Sequence, residues 1–251
     1  MNLFRIRGIQ LAVHFSFFLL LAYVGFEGWQ EEGLGGLGWN VVTLVAFFTC
    51  VVLHELGHSF VAMHYGIGVR RILLMPIGGM AEMDGIPRQP RREFLMTLAG
   101  PAVNFVLVGL LWPIVQTLPD EVPLYSLSGL VFQLYIANIV MGVFNLVPVF
   151  PMDGGRIFRA LLATRLNYLR ATWWAATVGK VLSLAGMLLM FFWLEHYLGA
   201  LLFLFIFMAG DAEYQAVRRR ELEDAHWRAL LARIYGPPPV EPPLLDGRRE
   251  Y

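Results

Sequence analysis

The sequence predicts an all-α polytopic membrane protein with about six transmembrane helices and a membrane-associated β-hairpin between the second and the third. Of its 251 residues, 57% are hydrophobic and only 15% are charged, whereas about a quarter of an ordinary soluble domain is charged. The mean hydropathy is +0.59. Six stretches are apolar over roughly the 20 residues that a helix needs to cross a bilayer. They lie at 9–27, 40–65, 93–117, 125–147, 171–194 and 196–212.

The distribution of arginine predicts how these spans are oriented. Arginines lie before the first span, between the second and third, between the fourth and fifth, and after the sixth. The opposite loops at 28–39, 118–124 and 195–196 contain acidic residues but neither Lys nor Arg. Because short loops rich in Lys and Arg stay in the cytoplasm, we predict a multi-pass protein of the cell membrane with both termini cytoplasmic.

The segments outside the spans have compositions of their own. Glycines, prolines and short apolar runs at 66–90 favour the β-hairpin over a helix. Residues 213–235 are predicted to form a cytoplasmic amphipathic helix, and 236–251 a Pro-rich disordered tail. Residues 1–212 would then be one membrane domain, with the lipid bilayer as its surroundings. The net charge of zero gives no reason to expect a nucleic-acid partner.

The run VVLHELGHSF at 51–60 places three titratable side chains inside the second span. His54 and His58 are four residues apart, so on a helix they project from one face. That spacing lets both imidazoles reach a single zinc ion, while Glu55 is placed to take a proton from water activated there. Ionisable residues within membrane spans are costly and generally functional. The run therefore predicts a catalytic zinc site.

Such a site needs a third protein ligand, and the sequence offers three. His64 lies where a longer histidine motif would place the third ligand. That motif needs a glycine at position 61 to turn the chain, and this sequence has Val61 there, so His64 is better explained as a polar residue at the end of the helix. Cys50 lies on the same stripe as the histidines, but three ligands in a straight row cannot close on one ion. The run FNLVPVFPMDGGR at 144–156 supplies Asp153 on backbone broken by prolines.

Asp153 has an alternative explanation, because it could cap the helix that follows. The predicted topology favours the metal site. The second and fourth spans both run inwards, so His58 and Asp153 would lie at the same depth near the cytoplasmic side.

Three runs together resemble the site-2 protease family of intramembrane zinc metalloproteases. They are HELGH at 54–58, AGPAVN at 99–104 and NLVPVFPMDGG at 145–155. The first span, which contains His14, is also similar to the family's opening helix. The resemblance covers about residues 8–210 and implies that residues 1–212 form an intramembrane metalloprotease domain.

The resemblance implies a role for each matched residue. One zinc ion would be the cofactor. The zinc ligands would be His54, His58 and Asp153, and the general base would be Glu55. The residues that hold the substrate or its oxyanion would be Asn145, Gly78 and Gly79. Asn104 would be a structural or substrate-contacting residue.

The resemblance also implies the kind of partner. Substrates would be single-span membrane proteins, such as membrane-tethered regulators or anti-sigma factors. We see no PDZ-like insertion in the sequence, so we expect control by a regulatory membrane partner. Two alternatives use the same polar cluster: a catalytically inactive membrane scaffold, and a transporter. A scaffold would be expected to have lost a ligand or the glutamate, and a transporter would spread charges along several spans.

Overall fold

The computed structural model of this protein describes residues 1–236, which form six helices and a four-stranded sheet. Five of the helices are long and apolar enough to cross a membrane. The predicted Pro-rich tail, apart from its first residue, lies outside the described residues. The elements are β1 Asn2–Ile6, β2 Ile9–Val13, α1 Phe15–His64, β3 Val69–Met75, β4 Gly78–Met83, α2 Pro90–Val115, α3 Leu127–Asn145, α4 Asp153–Ala163, α5 Tyr168–Phe192 and α6 Tyr197–Tyr235.

The longest helix, α1, is interrupted midway. Glu32 and Gly33 have non-helical backbone angles, and the φ of +60° at Gly33 favours glycine. The segments on either side pack closely, because a Cβ on Gly28 or Gly36 would overlap the backbone of the other. Helix α1 is therefore a hairpin of two helical segments, and its break lies within the loop predicted at 28–39.

The sheet has the order β1-β2-β3-β4, with a parallel pair in the centre and antiparallel pairs on both sides. The prediction of an all-α protein is wrong in this respect, because β1 and β2 were not foreseen and residues 9–13 were assigned to the first span. The apolar run continues from β2 into α1, so composition alone hides the change of structure. His14 marks it, since its Nδ1 accepts a hydrogen bond from the Ser16 amide at 3.3 Å.

One hydrophobic cluster joins the sheet to both segments of α1. Apolar side chains of β2 and β3 pack against α1 on both sides of its break. They are Ile9, Leu11, Val13, Ile72 and Leu74 of the sheet, and Phe17, Phe48, Val51, Val52 and Leu56 of the helix. This packing places the β3–β4 hairpin beside the stretch of α1 that contains HELGH.

The other long helices begin and end close to the predicted spans, with one difference at the end of the described chain. Helix α6 continues without interruption to Tyr235. The sixth predicted span and the predicted amphipathic helix are thus a single helix, and the domain boundary predicted at 212 coincides with no break. The short helix α4 follows α3 and precedes α5 along the chain, and it packs against α2 and α5.

Candidate metal centre

Two histidines and one carboxylate meet where the second segment of α1 approaches the start of α4. The two Nε2 atoms of His54 and His58 lie 3.1 Å apart. The Oδ2 atom of Asp153, the first residue of α4, lies 3.3 Å from His54 Nε2 and 3.2 Å from His58 Nε2. All three side chains are buried. Within residues 1–236, this is the one group of three such residues whose ligand atoms lie close enough to share a metal ion.

Acceptors on α2 fix the other nitrogen of each ring. His58 Nδ1 donates to the Met96 carbonyl at 2.8 Å, and His54 Nδ1 donates to Asn104 Oδ1 at 2.6 Å. Asn104 is held in turn, because its Nδ2 donates to Asn138 Oδ1 on α3 at 2.9 Å. With hydrogens on both Nδ1 atoms, each neutral ring presents a lone pair at Nε2. Such partners orient metal-binding imidazoles in general.

The cluster has the geometry of a zinc site. Three acceptor atoms converge, and Asp153 Oδ2 has no hydrogen-bond partner among the described residues. Two ligand atoms about 2.0–2.2 Å from a tetrahedral zinc ion lie roughly 3.3 Å apart, which agrees with the separations of 3.1, 3.2 and 3.3 Å. Three protein ligands of these types are typical of catalytic zinc, which keeps a fourth position for water. The residues therefore fit one zinc ion.

Two glycines make room for this arrangement. A Cβ on Gly100 of α2 would overlap the His58 imidazole and lie 2.8 Å from His54 Cε1. A Cβ on Gly57 would lie 2.7 Å from the Ala99 carbonyl oxygen, so this glycine lets α1 and α2 approach. The AGPAVN run thus supplies the space that the histidine rings occupy.

The predicted base, Glu55, lies against the start of β4. A Cβ on Gly79 would lie 2.7 Å from Glu55 Cγ and 3.1 Å from Val51 Cγ1. The preceding residue, Gly78, has a φ of +134°, which favours glycine. The missing side chain of Gly79 therefore allows the start of β4 to lie close to Glu55, and Gly78 gives the strand its turn before that contact.

Glu55, the three cluster residues and the start of β4 line one cavity of about 1670 Å³. Its wall is largely apolar and includes side chains of α6, among them Leu201 and Phe205. Asn145 lines the same cavity from the end of α3, and its Nδ2 donates to the Met141 carbonyl at 3.0 Å. Pockets for small molecules have volumes of about 300–1000 Å³, so this cavity is large enough for a peptide segment.

The remaining candidates are not among the three clustered residues. Asn104, predicted as a structural or substrate-contacting residue, is fully buried behind His54 with both ends of its amide hydrogen-bonded, which is a supporting position. His64 is exposed at the end of α1, and Cys50 is buried and unpaired among the described residues. Neither belongs to the group of candidate metal ligands.

Sequence reasoning missed three contributors to the site. The Met96 carbonyl gives no sequence signal, because a backbone group acts whatever the side chain. Gly100 lies in the AGPAVN run, but no rule of local sequence shows that its missing side chain makes room for the two histidine rings. Asn138 is a lone amide in an apolar span, and such residues usually have a partner in the membrane.

Comparison with known proteins identifies the family. The chain matches the family model of peptidase family M50 over residues 42–123 and 113–186. A zinc metalloprotease of Methanocaldococcus jannaschii is 38% identical over 243 residues, which cover 95% of this chain and 67% of that protein. The chain belongs to peptidase family M50. Stage IV sporulation protein FB of Bacillus subtilis is 27% identical over 212 residues, which cover 83% of this chain and 69% of that protein.

A solved structure agrees with this assignment. The site-2 protease from Methanocaldococcus jannaschii superposes with a TM-score of 0.61 at 37% identity, over 85% of this chain and 94% of that one. The predicted resemblance to the site-2 protease family is thereby confirmed. This M50 protein is a multi-pass membrane protein of a zinc metalloprotease family, and its His-His-Asp cluster is a candidate zinc site.

Proposed function

We propose that the protein is an intramembrane zinc metalloendopeptidase. It hydrolyses a peptide bond within or near the transmembrane segment of a single-span membrane protein, such as a membrane-tethered regulator or an anti-sigma factor. One observation carries the proposal: the cluster of His54, His58 and Asp153 lies beside Glu55 on the wall of a large apolar cavity.

The residues of the cavity divide the chemistry among them. His54, His58 and Asp153 would hold one zinc ion, which when bound supplies a Lewis acid for water and for the scissile carbonyl. Glu55 accepts the proton of the attacking water and passes it to the departing amine. Asn145, which lines the same cavity, donates a hydrogen bond to the peptide oxygen as negative charge develops on it.

The free edge of the sheet would hold the substrate. Strand β4 is the last of the four described strands, and Gly78 and Gly79 line the cavity at its start. A helical segment has its carbonyls already hydrogen-bonded, so it must be unwound before attack. An extended segment could add to β4 through main-chain hydrogen bonds, which would present its carbonyls at the cluster beside Glu55.

The proposal includes six membrane crossings with both termini in the cytoplasm. The break in α1 at Glu32 and Gly33 supports two crossings by that helix. Four more follow from α2, α3, α5 and the apolar part of α6. The cluster then lies near the cytoplasmic side, where water has a short path to it.

A zinc measurement on the purified chain tests the metal site. Elemental analysis should find about one zinc ion per chain in the wild type and in His64→Ala, and none retained in Asp153→Ala. Zinc retained in Asp153→Ala and lost in His64→Ala would contradict the assignment of the third ligand. A wild-type chain that takes up no zinc from zinc-supplemented buffer would contradict the proposal that the protein is a zinc enzyme.

A cleavage assay then separates an enzyme from an inactive scaffold or a transporter. The probe is a tagged single-span protein with an Asn-Gly or Gly-Pro pair in its span, co-reconstituted in liposomes. Wild type should cleave it, and Glu55→Gln should retain zinc yet lose at least about 100-fold in rate, since general bases contribute about 10²–10⁴-fold. Equal cleavage by both would exclude Glu55 as the base.

A further inference from the structure

A second charged cluster lies apart from the candidate zinc ligands, and the ion pair at its centre is completely buried. Arg159 donates to Glu93 Oε1 from Nη2 at 2.5 Å and from Nε at 2.8 Å, and neither side chain is exposed to any extent. Arg159 Nη1 also donates to Glu213 Oε1 at 2.7 Å. Buried ion pairs are generally no better for stability than apolar residues of the same size. A fully buried pair of this kind therefore calls for a reason other than stability.

The pair joins the two halves of the zinc site. Glu93 lies in the first turn of α2, which then presents the Met96 carbonyl to His58 and the Asn104 amide to His54. Arg159 lies on α4, the helix that begins with Asp153. One end of the ion pair is thus on the helix that orients both histidines, and the other end is on the helix that carries the third ligand.

Helix α4 needs such an anchor. It has only 11 residues, and helices shorter than about 12–15 residues are marginal without packing. The chain before it is broken by Pro148 and Pro151, so the preceding span does not fix its direction. The guanidinium of Arg159 also lies 5.2 Å from the ring of Phe150 and 5.0 Å from that of Tyr168, and the latter donates its hydroxyl hydrogen to Glu93 Oε1 at 3.3 Å.

We propose that Arg159 and Glu93 are positioning residues that hold Asp153 at ligand distance from His54 and His58. The inference rests on the proposed zinc site and adds a requirement to it: the ion pair sets the separation between α2 and the start of α4. Glu213 binds the same guanidinium from α6, which carries no zinc ligand and no group that orients one. It supplies a matched control.

The test compares zinc affinity in Glu93→Gln and Glu213→Gln, each measured by competition with a chelator in detergent. Glu93→Gln should weaken zinc binding about 10–100-fold, the usual effect of losing a partner that orients a ligand. Glu213→Gln should change it by less than about threefold. The visible spectrum of the cobalt-substituted protein should shift in Glu93→Gln only, because it reports ligand geometry.

A merely structural pair would behave differently. The double variant Glu93→Met with Arg159→Met replaces the buried pair by apolar side chains and leaves Glu213, which is partly exposed, to water, so the metal-free protein should stay close to wild type in thermal unfolding. We expect its zinc affinity to stay at least about tenfold weaker, with an altered cobalt spectrum. Wild-type zinc affinity in this double variant, or equal losses of zinc affinity in the Glu93 and Glu213 variants, would overturn this inference and leave the proposed function unaffected. Wild-type protein that binds no zinc would overturn the proposed function as well.

Discussion

Replacing Gly100 by alanine would place a methyl group against the nitrogen atoms of the candidate zinc site. The new Cβ would overlap the imidazole of His58 at Nε2 and lie 2.8 Å from His54 Cε1. Ordinary contacts between carbon atoms are about 3.5–4.0 Å, so the His58 ring must move by roughly 1 Å or more. Zinc–ligand distances vary by only about 0.2 Å. The substitution should therefore remove one ligand while leaving all four metal-binding and catalytic residues in the chain.

The expected loss of zinc affinity follows from the part of the binding free energy that one ligand contributes. Zinc sites with four protein ligands have apparent binding free energies of about 10–16 kcal/mol, so one ligand accounts for roughly 3 kcal/mol, about 100-fold in Kd. Gly109→Ala is the matched control on the same helix, because nothing lies within 4 Å of its Cβ position. Chelator competition measures zinc Kd, and thermal unfolding of the metal-free proteins checks the fold. Zinc affinity in Gly100→Ala within threefold of Gly109→Ala would refute the reasoning.

Three further substitutions test separate parts of the structure. Asn104→Ala should weaken zinc binding about 10–100-fold by releasing the first histidine ring; an unchanged Kd in chelator competition would argue against its supporting role. Gly79→Val should slow cleavage with zinc content unchanged, because the new side chain presses on Glu55; loss of zinc would show a wider disturbance. Ser126→Ala removes the Oγ that accepts a first-turn amide of α3 at 3.0 Å. It should lower the free energy of unfolding by about 1 kcal/mol, and an unchanged midpoint in thermal unfolding would count against the cap.

The cluster of candidate ligands was predictable because two simple rules act together. Helical spacing places His54 and His58 on one face, and arginine distribution predicts that the second and fourth spans run in the same direction. An aspartate at the end of the fourth span must then lie near the depth of the histidines. The structure brings Asp153 Oδ2 within 3.3 Å of both Nε2 atoms, although no rule of local sequence fixes that distance.

The parts that were missed depend on long-range pairing. Strand β2 is apolar and leads directly into α1, so its membership of a sheet is decided by its neighbour β3, far along the chain. Arg159 was counted among the arginines that set the orientation of the spans, yet it is fully buried against Glu93, 66 residues away in sequence. Nothing in a single sequence distinguishes an exposed arginine from one that is buried in an ion pair with a carboxylate distant in sequence.

The amides behind the candidate zinc site show how an apolar interior can determine which histidine nitrogen is left free to bind metal. Asn138 Nδ2 donates to the Leu134 carbonyl at 2.8 Å, which leaves Asn138 Oδ1 to accept from Asn104 Nδ2 at 2.9 Å. Asn104 Oδ1 then faces His54 Nδ1 at 2.6 Å and requires a hydrogen there. Reversing either amide would leave buried polar groups unpaired, at about 1–3 kcal/mol for each group. The carbonyl of one residue on α3 therefore fixes, through two side chains, the tautomer that leaves His54 Nε2 free for zinc.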